Sequence, residues 1–85
     1  MIPRFAPGVR LHHDKARARW VVLAPERMFI PDETALEVLQ LVDGARDLEA
    51  IIDALVAKFA APRDVIATDV RAMVEDLTHR GALQA

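Results

Sequence analysis

The 85-residue chain has no cysteine and no serine, only three glycines, and aromatics at 5%. Lack of cysteine excludes a disulfide scaffold, a thiolate metal site and a cysteine nucleophile. Side-chain hydroxyls come only from Thr34, Thr68 and Thr78, and none stands in a nucleophile motif. Gly8, Gly44 and Gly81 are isolated, so there is no phosphate-cradling loop. No apolar stretch approaches the ~20 residues that span a bilayer. The opening MIPRFAPGVRL lacks the apolar run of a secretory signal. These absences point to a small soluble protein of the cytoplasm, without membrane association and without enzymatic activity of its own.

Hydrophobic residues make up 53% of the chain, far above the range of disordered sequences. The length suits one domain, residues 1–85, that buries only about 60–65% of its unfolded surface. Ala, Leu, Val and Ile must build its core. Charge is unevenly spread. Residues 1–27 carry six bases and two acids, net +4, and residues 28–85 carry five bases and eleven acids, net −6. Such asymmetry favours contact between the two parts, or between the basic part and an acidic partner.

Residues 9–13, VRLHH, alternate in polarity, and Asp14-Lys15 reads as a turn. Next, RARWVVL is rich in strand formers. Its alternation predicts Trp20 toward the core, with Arg17 and Arg19 toward solvent. Pro25-Glu26 is a turn, because proline presets the first central position. Arg27 to Ile30 then make a short strand that Pro31 stops. From Asp32 the period becomes helical. Asp32 caps a helix predicted to run to about Asp43, closed by Gly44. Asp47 caps a second, carrying Ile51, Ile52, Leu55, Val56 and Phe59. Ala60-Ala61-Pro62 breaks it. A third runs from about Arg63 to Arg80, with Ile66, Val70, Met73, Val74 and Leu77 on its apolar face and Gly81 at its end. The fold class is α+β: a winged-helix-like domain, a three-stranded antiparallel sheet followed by three helices.

No catalytic or metal constellation stands out. His12 and His13 are adjacent on a strand and point to opposite faces, so they do not share a metal ion. Most acids have other work: Asp32 and Asp47 as caps, and Glu75 and Asp76 as outward neighbours. A winged helix also serves on DNA, but residues 63–80 carry four acids against three arginines, and a recognition helix must offer bases to phosphates. The charge therefore speaks against nucleic acid.

Read together, VRL near the start, LAPERMF, LVDGARDLEAIIDAL and DVRAMVEDLTHRGAL resemble the PqqD family over roughly residues 3–83. The combination of a Leu-x-Pro-Glu turn, a helix ending in Asp-Gly, an apolar Ile-Ile helix and a closing Arg-Gly-aliphatic carries the resemblance. Two positions depart from the family's habit. Arg27 stands where glycine usually follows Pro-Glu, and Ile30-Pro31 stands where Leu-Asn usually precedes the first helix.

The resemblance implies a peptide chaperone of pyrroloquinoline quinone (PQQ) biosynthesis, founding member of the RiPP recognition elements. Such proteins bind the precursor peptide PqqA and present it to PqqE, a radical S-adenosylmethionine enzyme. In related recognition elements the leader peptide adds as a strand beside the third strand and packs on the last helix. By position this implies a peptide site of Arg27, Met28, Phe29 and Ile30 with Val70, Met73, Val74 and Leu77, and Arg71 at its margin. For Val70, Val74 and Leu77, plain core packing accounts for the pattern equally well. Met73 and Phe29 suit an adaptable groove. The alternatives are a recognition element for another ribosomal peptide system and a winged-helix DNA-binding module. The unpaired strand also offers a route to a homodimer. No metal or cofactor is implied, so exhaustive dialysis against a chelator should leave the thermal midpoint unchanged. A drop of many degrees would contradict that.

Overall fold

The computed structural model describes all 85 residues. Strand β1 is Arg4–Phe5, β2 is Arg10–Asp14, β3 is Arg19–Ala24 and β4 is Arg27–Phe29. Helices α1 (Glu33–Leu39), α2 (Leu48–Phe59) and α3 (Arg63–His79) follow, and β5 (Leu83–Gln84) ends the chain. The meander β2-β3-β4 is antiparallel, with Leu11 opposite Val22 and Val22 opposite Phe29. Those three face the helices, because side chains alternate across a sheet. Val22 belongs to a cluster of buried residues that includes Ile51, Ile52 and Leu55 from α2 and Val70, Val74 and Leu77 from α3. Phe29 and Leu11 pack on it from the sheet.

Both predicted caps form. Asp32 accepts from the Ala35 backbone N–H at 2.8 Å, and Asp47 from that of Ala50 at 2.8 Å. The first helix is shorter than the pattern predicts: it ends at Leu39, not near Asp43. Leu41 and Val42 donate to carbonyls only three residues back, Val38 and Leu39, which tightens the chain out of the α-helix. The Asp43 carboxylate then accepts from the N–H groups of Ala45 and Arg46, at 2.9 and 2.7 Å. These bonds hold its pKa below the usual carboxylate range. They make a turn in place of a last helical turn, so Gly44 sits in a loop and not at a helix end.

Two elements escaped the pattern altogether. Strands β1 and β5 pair antiparallel, Arg4 with Gln84 and Phe5 with Leu83. Ala6 donates to the Ala82 carbonyl at 3.0 Å, and Leu48 donates to that of Met1 at 2.9 Å. The two ends of the chain are thus strapped over the start of α2. Two-residue strands carry no periodicity to read.

Trp20 is a correction. It shares the face of Val22, as alternation requires, but it lies outside the buried cluster. Its ring stacks on His13 across the β2-β3 pair, with centroids 4.8 Å apart. The tryptophan is half-buried, and the histidine beside it is exposed. Arg17 is exposed as expected and pairs with Asp14, whereas Arg19 is half-buried.

Helix α3 closes as read from the sequence. Ala82 donates back to the Leu77 carbonyl at 2.9 Å, and Gly81 to that of Thr78 at 3.0 Å, with Gly81 at φ +80°. A Cβ there would stand 3.0 Å from the Arg27 guanidinium, which can swing aside. The cost of Gly81→Ala therefore lies in the left-handed backbone. Urea unfolding should show a loss of about 1–2 kcal/mol.

Candidate peptide-binding groove

Strand β4 pairs with β3 on one side only, so its other edge is open. In an antiparallel ladder alternate residues turn their backbone groups away from the partner. A three-residue strand therefore offers only one or two N–H and C=O pairs outward, and Pro31 offers no N–H beyond it. Strand β2 forms the other open edge of the sheet, but none of its residues lines any of the three grooves described below.

Beside the open edge of β4 runs a groove of about 560 Å³. Phe29, Ile30 and Pro31 form one wall, Asp32, Thr34 and Ala35 the end toward α1, and α3 the opposite wall. Helix α3 presents Asp69, Met73, Asp76 and Arg80, a row at i, i+4, i+7 and i+11, with Ala72 and Leu77 beside it. Ile30 is 56% exposed, an apolar side chain left in water at the lip. Met73 is half-buried and packs against the core, so its flexible thioether lies between core and groove. Strand and helix run in opposite senses: Arg27 lies near Gly81 past the end of α3, and Asp32 shares the groove with Asp69 in the first half of α3.

The structure sorts the nine residues singled out from the sequence. Phe29, Ile30, Met73 and Leu77 meet in this groove. Arg27 stands at its end, and Met28, 52% exposed, points to the other face of the sheet. Val70 is 3% exposed and lines a different hollow, between α1, α2 and α3, with Leu55 and Phe59. Val74 and Arg71 lie on the far side of α3, in a hollow with Met1 and Leu48. Arg71 donates to Glu49 on α2 at 2.7 Å, and Arg63 donates to the same carboxylate at 2.8 Å. Arg71, and then Arg63, hold Glu49 below its ordinary pKa. Arg71 thus ties α3 to α2, on the side away from the groove. The helical apolar stripe spans more than one side of α3, which is why spacing alone joined these positions.

Sequence reasoning missed Asp69, Asp76 and Arg80, and the contribution of Thr34 and Ala35. The first three were findable, since they extend the Met73 row along the helix. Arg80 pairs with Asp76 at 3.0 Å, both well exposed, so the pair adds little to stability. No group of His, Asp and Glu gathers as a metal site. What the arrangement can do is hold an extended chain: backbone groups along β4, and apolar burial on Ile30, Phe29 and Met73.

A meander packed on three helices, with an open-edged short strand running antiparallel to the last helix across a groove, defines a winged-helix-like α+β domain. The family model described as "Coenzyme PQQ synthesis protein D (PqqD)" matches residues 19–83, and the chain belongs to that family. Among curated relatives, the "PqqA binding protein" of Rhodopseudomonas palustris (strain TIE-1) is 54% identical over 83 residues, covering 98% of this chain and 78% of the relative. That of Gluconobacter oxydans (strain 621H) is 46% identical over 79 residues, covering 93% and 82%. Among solved structures, the PqqD truncation of Methylobacterium extorquens PqqCD, described as a functional and stand-alone RiPP recognition element, superposes with a TM-score of 0.79 at 37% identity. It covers 98% of this chain and 88% of that one. A lasso peptide synthetase B1 complexed with its leader peptide shares the fold at TM-score 0.82 and 16% identity, with both chains fully covered.

The sorting of α3 has a measurable consequence. Leu77, buried in the cluster, should cost about 2–5 kcal/mol on replacement by alanine. Met73→Ala, on the groove wall, should cost clearly less. Chemical denaturation of both variants checks the order.

Proposed function

We propose that this protein is a peptide chaperone of PQQ biosynthesis. It binds the precursor peptide PqqA in the groove between β4 and α3 and presents it to the radical S-adenosylmethionine enzyme PqqE. Family membership, and the PqqA-binding relatives at about half identity, support the peptide. The observation that carries the mode is the open edge of β4 beside a groove whose strand wall is apolar and whose helix wall sets Met73 among Asp69, Asp76 and Arg80.

The energetics require both walls. Each backbone hydrogen bond contributes about 0.5–1.5 kcal/mol net, and β4 supplies few. Ordering a flexible peptide costs more than that. Burial on Ile30, Met73 and Phe29, at roughly 25 cal/mol per Å², makes up the difference. The protein itself performs no bond making. It holds no carboxylate pair in a dry cleft and no activated nucleophile, and Asp69 and Asp76 are solvent-exposed. Its part is to hold an extended segment fixed while an enzyme acts elsewhere on the peptide.

Met73→Asp tests the groove. The substituted wall should still pack, because Met73 is half-buried, while PqqA affinity by calorimetry should fall at least about tenfold, the equivalent of ~1.4 kcal/mol. Amide shifts of the wild-type protein on adding the peptide should cluster at residues 27–30 and along α3 from 69 to 80. A Met73→Asp protein that binds normally, or shifts confined to residues 9–23, would contradict this site.

A further inference from the structure

The two regions of opposite charge differ in how their bases are used. Of the later bases, Lys58, Arg63, Arg71 and Arg80 each hold a carboxylate, on Glu37, on Asp53 and Glu49, on Glu49 and on Asp76. Of the six bases in residues 1–27, only Arg17 does, on Asp14. Arg10 and Arg19 are both unpaired, and they share one face of the meander. Alternation puts Arg10, Leu23 and Met28 in one cross-strand row, with Val21 opposite His12 and Arg19 opposite Asp14, whose carboxylate Arg17 holds, further along the same face. This face points away from the helices. Its accessible apolar area comes from Met28, 52% exposed, and the half-buried Leu23, while Val21 is covered and only 2% exposed. The Nε–H of Arg19 is buried there without a hydrogen-bond acceptor, the one buried side-chain polar group so left.

We infer that this outer sheet face is a second docking surface, for a carboxylate-bearing patch on the enzyme to which the peptide is presented. The inference rests on the presentation reading above. Presentation requires that peptide and enzyme be held at once, so the enzyme must have a surface that the peptide leaves uncovered. The groove lies on the α3 side of β4, and the Arg10–Leu23–Met28 row lies on the opposite face of the sheet. The chemistry fits a protein better than a polyanion. An apolar centre carrying methionine and arginine has the composition of protein interfaces. A phosphate backbone needs a longer track of bases, and the rest of this chain, net −6, repels it. Arg10, exposed and unpaired at the rim, with the half-buried Arg19 further along the face, attracts an acidic surface over distance and raises the rate of encounter more than the lifetime of the complex.

The test is association kinetics of the intact protein with immobilised PqqE at low salt. Arg10→Glu/Arg19→Glu should slow association at least about tenfold and change dissociation about twofold or less, while PqqA affinity by calorimetry stays within about twofold of wild type. Circular dichroism confirms the fold. If the double reversal fails to fold, Arg10→Gln/Arg19→Gln should give the same pattern in smaller measure. Unchanged association in a folded variant would overturn the inference and leave the peptide chaperone standing. So would loss of enzyme binding in Met73→Asp instead. Wild-type protein that does not bind PqqE overturns both the presentation reading and this surface. Random duplex DNA, or vesicles of phosphatidylglycerol, that bind this face as tightly as PqqE would assign it to a polyanion or a membrane and overturn the protein partner.

Discussion

The packing of α3 against the rest of the molecule is the constraint on which everything else depends. Its inner row, Val70, Val74 and Leu77, is almost fully buried against α2 and the sheet. A 17-residue helix fixed along that row carries its neighbours with it. Asp69, Met73, Asp76 and Arg80 then fall along the open edge of β4, and Arg71 falls against α2. Leu77 joins both roles, as it belongs to the core, lines the groove, and accepts the bond that closes the helix through its carbonyl. Core and groove are therefore one packing arrangement.

The groove is apolar at its strand wall and charged along its helix wall, and this division follows from the same packing. A helix with one buried row must turn its other rows to water, so carboxylates and an arginine line the rim. The short strand limits what the backbone alone can contribute. In the proposed mode, affinity for a peptide depends on side chains, which also give selectivity among extended segments. A longer, flatter edge would pair more strongly and less selectively, and would invite association with other open edges.

Charge is divided between surfaces in the same way. The later bases tie helices together at the surface, with Arg63 and Arg71 meeting on Glu49. The early bases tie almost nothing together. Arg10 is left exposed and unpaired beside Met28, which is the basis of the proposed second docking surface.

The sequence by itself determined the types of the three meander strands and three helices, both aspartate caps, the closing glycine of α3 and the α+β class, because these depend on local periodicity and on backbone chemistry within a few residues. Family resemblance pointed to β4 and α3 as the peptide site. The structure brings only Phe29, Ile30, Met73 and Leu77 of those residues into one groove. It places Arg71 and Val74 on the far side of α3, because a helical stripe covers a wide arc and only its neighbours decide which part faces which partner. The pairing of β1 with β5 was illegible for a related reason: two residues at each end, over 75 positions apart, carry no pattern of their own. Trp20 shows the limit of alternation, which gave its face correctly but not whether the core reaches it. Local order is written in neighbouring residues. Which surfaces meet, and which are left open for a partner, is decided by where α3 comes to rest.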